Sequence, residues 1–317
     1  MVGNPQISRS ALFQAELLAA RRDRAARLGF SGGADFLHQS VTDSVTERLS
    51  MVTREFGNCA VIGVGDAGLA DALPKHADTN WVELSPTRAA SVGAEPAPLL
   101  DPLPLKPDSL DLVLSCLELH WANDLVGQLI QMRRALKPDG LMIAAMFGGQ
   151  TLHELRAALA EAEVEISGGL RPRVAPMAEL RDLGGLLQRA GFALPVADAE
   201  RITADYADIW ALMRDLRAMG ETSILVERPR GLSARALFEK ADQIYKSAFP
   251  TTTGRIGATF EIVYLTGWAP ADTQPTPLRP GSASMRLADA LDTVEHAAGE
   301  KAGPDAASPS RKPDRKS

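Results

Sequence analysis

From Cys59 onward the chain alternates short apolar runs with stretches of helical spacing, a pattern that few folds other than a layered α/β sheet accept. The runs are Cys59 to Val64, Trp81 to Leu84, Ala97 to Leu100, Leu110 to Leu117 and Leu141 to Phe147. Apolar at nearly every position, they predict strands buried on both faces, hence a mostly parallel sheet with helices on each side. Phe192 to Ala199 and Thr259 to Thr266 read as two more strands, separated by helical stretches at Asp208 to Met219 and Ala234 to Ala248. The last is expected to return antiparallel beside the Phe192 strand, giving a seven-strand sheet.

Ahead of the sheet lie two stretches with helical spacing, Ala11 to Leu28 and Phe36 to Glu55, parted by the breaker Ser31-Gly32-Gly33. The expected organisation is therefore N-terminal helices over 1–57, an α/β domain over 58–268 with a helical insertion at about 205–250, and a Pro-, Ser- and charge-rich tail over 269–317, read as disordered. Within the domain a helix should start at Asn123 or Asp124 and stop before the turn Lys137-Pro138-Asp139-Gly140. Thr151 and Glu154 have the spacing of a capping box. Leu180 to Arg189 reads as a further helix, stopped by Gly191.

Composition narrows the partners. With 34 basic and 40 acidic residues the net charge is -6, so no nucleic-acid partner is expected. The two cysteines, Cys59 and Cys116, lie in apolar runs and read as core residues of a reducing compartment. No apolar stretch reaches the roughly 18 residues that a membrane span needs, which favours the cytoplasm. Arg9, Arg21, Arg22, Arg24 and Arg27 on an amphipathic pattern resemble a transit peptide, but Glu16, Asp23 and the low serine content favour a docked, solvated helix.

Gly63-Val64-Gly65-Asp66-Ala67-Gly68 follows an expected strand and opens a helix, so backbone N–H groups there can approach a ligand closely. Eighteen residues after Gly65 stands Glu83, placed at a strand end to accept hydrogen bonds from ribose hydroxyls. The motif literally matches a dinucleotide loop. A single domain with no second mononucleotide-binding half suits S-adenosylmethionine better than NAD. The plainer alternative is a turn that needs glycine for close helix–strand packing.

Asp101-Pro102-Leu103-Pro104-Leu105-Lys106-Pro107-Asp108-Ser109-Leu110-Asp111-Leu112-Val113 resembles a segment of class I S-adenosylmethionine-dependent methyltransferases, and the generic likeness covers 58–147. A more specific likeness is to the complex I assembly factor 5 family. It rests on Leu119-His120-Trp121-Ala122-Asn123-Asp124-Leu125, Lys137-Pro138-Asp139-Gly140, Ala145-Met146-Phe147-Gly148-Gly149, Leu183 to Phe192 and Met219-Gly220-Glu221, and runs from Phe13 to Trp268. The resemblance implies a class I fold with S-adenosylmethionine at Gly63, Gly65, Gly68, Glu83 and Asp101, the last facing the adenine. It also implies a protein substrate, the quinone-site subunit of respiratory complex I, methylated or hydroxylated on an arginine. The implied place is cytoplasmic, or the matrix side in a mitochondrion, peripheral to the inner membrane through complex I. The malonyl-carrier-protein O-methyltransferases resemble the cofactor half and lack the Leu-His-Trp signature.

Some positions depart from these patterns: Val61 replaces a usual acid, Ala67 stands at the usual third glycine with Gly68 one step later, Leu99 or Asp101 takes the adenine-facing place, and Phe13-Gln14-Ala15 replaces Phe-Asp-Arg.

His120 follows the fourth apolar run, at the crevice where α/β proteins work, and is the candidate base for proton removal. The bland alternative is a packed strand end with Asn123 and Asp124 capping the next helix. The five histidines show no iron-triad spacing. Arg171, Arg173 and Arg181 read as a solvated face before an acidic partner's grip, and Trp210, Met213, Leu216 and Met219 as a core stripe or lid. Three functions follow: an S-adenosylmethionine enzyme acting on a complex I subunit, a non-catalytic assembly chaperone with a degenerate loop, or a malonyl-carrier-protein methyltransferase.

Overall fold

Strands Asn58–Gly63 (β1), Asp78–Val82 (β2), Leu110–Cys116 (β3), Leu136–Phe147 (β4), Ala193–Tyr206 (β5) and Ile256–Trp268 (β6) form one sheet in the order β2-β1-β3-β4-β6-β5. The computed structural model describes residues 11–29, 34–63, 67–74, 77–94, 96–97, 102–229, 231, 233–275, 285–286, 289 and 292. The chain divides into two units, 1–274 and 275–317, and the architecture here is that of the first. Most of the expected disordered tail lies outside the described residues.

β1 to β4 pair in parallel, while β6 runs antiparallel to both β4 and β5. The sheet thus has six strands among the described residues, one fewer than expected. Of the missing run, Ala97 to Leu100, only Ala97 is described, its N–H donating to the Glu83 carbonyl at 2.8 Å.

Side-chain alternation along the buried strands feeds two cores. Leu112, Leu114 and Cys116 point to one face, with Val41, Val45, Phe260 and Tyr264, whereas Val113 points to the other, with Leu129, Met132 and Leu187, and Leu110 joins it there across the register shift between Leu110 and Leu112. Each such buried side chain contributes roughly 2 kcal/mol. β5 alternates between exposed and half-buried positions and pairs only with β6, as an edge strand should.

The helices are Ala15–Leu28 (α1), Phe36–Ser50 (α2), Ala67–Ala72 (α3), Pro86–Ser91 (α4), Leu125–Ala135 (α5), His153–Ser167 (α6), Leu180–Arg189 (α7), Ile209–Met219 (α8) and Arg235–Ala248 (α9). α8 and α9 form the insertion between β5 and β6. Asp124 caps α5, accepting from Gly127 N at 2.8 Å. The Lys137-Pro138-Asp139-Gly140 turn is absorbed into an irregular start of β4, with Asp139 at φ 62°.

The capping box at Thr151 does not form. Thr151 Oγ1 instead donates to Glu261 O and accepts from Glu261 N, both at 3.0 Å, and Glu154 binds Thr259 Oγ1 at 2.5 Å. The neighbouring strand offers backbone partners that a helix end would otherwise supply. Both side chains therefore lock α6 onto β6.

Candidate active site

The N-terminal segment closes over the carboxyl ends of the parallel strands. Phe13 bridges Leu225, Gln14 N donates to Ile224 O at 3.0 Å, and Arg21 donates to Thr222 Oγ1 at 2.7 Å and Ser223 O at 2.5 Å. Asn123 accepts from Leu12 N and Phe13 N, each at 2.8 Å, and donates to Phe13 O at 3.0 Å, while Trp121 meets the Phe13 ring edge-on at 5.2 Å. Asp23 accepts from Ser85 Oγ and from the N–H and hydroxyl of Thr87 at the start of α4. Gly220, at φ 83°, ends α8, and a side chain there would press on Arg22 Cδ. The arginine-rich helix is docked but not solvated on its inner face: Arg22 is 0% exposed.

Arg22 reaches into a buried acidic cluster. Its Nη2 lies 2.7 Å from Glu221 Oε1, 3.4 Å from Glu118 Oε1 and 2.7 Å from the Leu117 carbonyl. Glu221 Oε2 in turn receives Trp121 Nε1 at 2.9 Å and His120 Nε2 at 3.0 Å. Burial alone would raise Glu221, but Arg22 and then His120 hold its pKa down to about 2. Glu118 goes the other way: burial, with Glu83 and Glu221 nearby, outweighs Arg22 and pushes it up to about 8. Burial also raises Glu83, whose Oε1 accepts from Ser85 N at 2.9 Å, and lowers His120 against the pull of Glu221.

Because ionised Glu221 can only accept, His120 carries its proton on Nε2, which leaves the Nδ1 lone pair buried with no hydrogen-bond partner among the described residues. The ring packs at a tilt against Phe147, 4.7 Å between centroids, and Trp121, 5.0 Å. It is a neutral imidazole, oriented by a carboxylate, in an aromatic niche.

The structure brings Gly63, Glu83 and His120 together at one end of the sheet, and Gly68 lies in α3, directly after the loop. Gly65 and Asp101 lie outside the described residues. Gly63 has φ 88°, and a side chain on it would overlap Glu118 Cγ and the Cys116 carbonyl, so glycine is required there by strand packing. Gly148 and Gly149 likewise make room, for Glu261 and Glu179.

On the far side of Glu221 opens a cavity of about 220 Å³ walled by Trp121, Phe147, Leu155, Leu216, Phe238 and Phe260. Met213 also lines it, so the α8 stripe is core and wall together. Arg173 faces the same cavity, bound to Glu163 at 2.5 Å and Ser233 at 2.8 Å with Phe238 under its guanidinium, so it is not part of a solvated face. Arg22, Glu118 and Glu221 were not singled out as site residues from sequence. Glu118 had a usable signal, an acid at the carboxyl end of a parallel strand, whereas nothing in an amphipathic pattern distinguishes Arg22 from its neighbouring arginines.

A family model described as a methyltransferase domain matches residues 62–144. The zebrafish protein named arginine-hydroxylase NDUFAF5, mitochondrial, is 36% identical over 293 residues, covering 88% of this chain and 89% of that one. Its human counterpart is 34% identical, over 88% and 83%. A malonyl-[acyl-carrier protein] O-methyltransferase of Halorhodospira halophila is 33% identical over 79% of this chain and 89% of its own. With the parallel sheet and antiparallel β6 already described, this chain belongs to the family of the mitochondrial arginine-hydroxylase NDUFAF5, built on the class I methyltransferase fold.

Proposed function

We propose that the chain binds S-adenosylmethionine at the carboxyl ends of β1 to β3 and modifies a protein side chain presented through the apolar cavity, on a subunit of respiratory complex I during assembly. The observation that carries this reading is the buried His120–Glu221 bond, which lies between the acids at the strand ends and the cavity. Glu83 would hold the ribose hydroxyls, with Gly63, Gly65 and Gly68 giving backbone access and Asp101 facing the adenine. Buried carboxylates in this number suit a cationic cofactor. Bound, that cofactor supplies an electrophilic methyl group.

Residues of the chain do the rest. Glu221 fixes the His120 tautomer, and burial keeps the ring neutral, so Nδ1 is free to take a proton near pH 7. The aromatic walls and the Glu221 carboxylate suit a guanidinium, in keeping with relatives named arginine-hydroxylase. Residues 58–268 form the catalytic domain in this reading, with 1–57 closing it and 205–250 bounding the cavity. Among the described residues no helix is long and apolar enough to cross a membrane. In this reading the protein meets the inner membrane through complex I, on its matrix or cytoplasmic side.

Arg217, Thr222 and Ser223 on the cavity wall favour a second reading, in which an acceptor carboxylate is held there and methylated, as in the carrier-protein relatives. Methyl transfer to a malonyl thioester in a radiolabel assay selects it.

Calorimetric titration with S-adenosylmethionine tests the shared premise. Binding is expected, and Glu83→Ala weakens it at least about tenfold by removing a charge-assisted contact. No binding at millimolar ligand overturns the enzyme reading in favour of the assembly chaperone. Mass spectrometry of the quinone-site subunit from cells lacking the protein should then show one modification missing.

A further inference from the structure

We infer that Arg21, Arg24, Arg217 and Arg228 form a docking patch at the rim of the apolar cavity, which takes an acidic segment of the protein substrate lying beside the side chain that enters the cavity. The inference deepens the reading above and rests on its use of the cavity.

The fold gathers the four on one rim. Arg21 and Arg24 stand about a turn apart on α1, and Arg217 lies in the last turn of α8, which packs against α1. Arg21 donates to Thr222 Oγ1 at 2.7 Å and to Ser223 O at 2.5 Å, and both of those residues line the cavity, as does Arg217. Arg228 continues the row, donating to Gln14 Oε1 and Leu225 O at 2.8 Å each. A side chain inserted into the cavity brings its flanking residues up to this rim.

Missing carboxylates indicate what the patch receives. Neighbouring cations on α1 are matched, Arg22 by Glu221 and Arg27 by Asp23. None of the four has an ion pair among the described residues, and Arg24 and Arg217 are exposed. Burial first, and then the charges of Arg228, Arg24 and Arg217, push the pKa of Arg21 below its ordinary value, so like charges crowd it. A cleft rim of a single sign focuses its field and draws in the opposite charge. Since the chain as a whole carries -6, the rim reverses the sign of the bulk and singles out acids locally. Cations spread over two helices and the stretch after α8 match several carboxylates along an extended segment better than one small anion.

Fluorescence anisotropy tests the patch with three labelled peptides of equal length: a central arginine flanked by glutamates, the same arginine flanked by glutamines, and a central alanine flanked by glutamates. The first should bind wild type at least about tenfold more tightly than the second, by a margin that shrinks as salt is raised. The double variant Arg24→Gln, Arg217→Gln should cut that margin to within about threefold, while Arg24→Lys, Arg217→Lys keeps most of it. The same loss of charge at exposed positions of α7, whose Leu183 and Leu187 join the other core layer, should leave the margin intact in Arg181→Gln, Arg189→Gln. Unchanged urea midpoints certify that the glutamine variants are folded. Equal binding of the first two peptides by wild type, or an equal loss of margin in the α7 variant, overturns the inference. So does sedimentation with phosphatidylglycerol vesicles that Arg24→Gln, Arg217→Gln abolishes while the peptides go undiscriminated, which makes the patch a membrane contact. Arginine- and alanine-centred acidic peptides bound alike would sink the cavity reading and leave the patch standing.

Discussion

Glu118 shows how far burial can shift one side chain, and its protonation sets a measurable consequence. Its charged neighbours are Arg22 of α1, Glu83 after β2, Glu221 after α8 and Arg88 of α4. With a folded pKa near 8, above its ordinary value of 4.5, its favourable contribution is full below about pH 4.5 and is lost as pH rises through 8. Glu118→Gln removes that slope, so relative to wild type it should gain on the order of 3 kcal/mol between pH 5 and pH 8, read from urea unfolding at both. An unchanged difference would mean that the carboxyl is ionised throughout. At this scale the sequence was only partly legible. Glu83 and His120 stand out because strand ends expose acids and bases to a crevice, but the partners that tune them come from positions about 100 residues away, such as Glu221 for His120, and no local pattern carries that information. The conspicuous Gly148-Gly149 pair turns out to make room for two glutamates.

Among elements, α1 is the one whose role changed most between pattern and structure. Its amphipathic spacing was readable, and its docking follows from Leu18 and Ala25. What spacing could not show is that the socket is built from distant segments, residues 118–123 and 220–228 together with Ser85 and Thr87, and that the first two hold some of the most distinctive motifs in the chain. Asn123 reads locally as a helix cap, yet Asp124 takes that role and Asn123 serves the strap instead. Asn123→Ala removes three hydrogen bonds to Leu12 and Phe13 and should loosen the strap by about 2 kcal/mol. Limited proteolysis should then cut within 12–28 several times faster, with the sheet still protected; unchanged cleavage would assign the hold to the remaining contacts of Phe13, Gln14, Arg21, Arg22 and Asp23. The Thr151 box failed for a related reason, because a strand edge competes with a helix end for the same hydroxyl.

In the first unit as a whole, the buried strands supply side chains to cores on both faces, so those cores cannot separate without breaking the sheet. Leu114→Ala, at 0% exposure in β3, should cost about 3 kcal/mol. Tryptophan fluorescence and far-UV circular dichroism should report coincident urea transitions; separated ones would show the two layers melting independently. The strand pattern made this architecture legible, since burial on both faces dictates nearly continuous apolar runs. The contacts that complete the site span far greater sequence distances: Arg21 to Thr222 across 201 residues and Gln14 to Arg228 across 214. Synthesis runs from the amino end, so the arginine-bearing helix is made first and finds its socket only after residue 228 has left the ribosome. Until then the nascent chain carries the strand-end acids without the cation that neutralises them, and a product truncated before that point never acquires it.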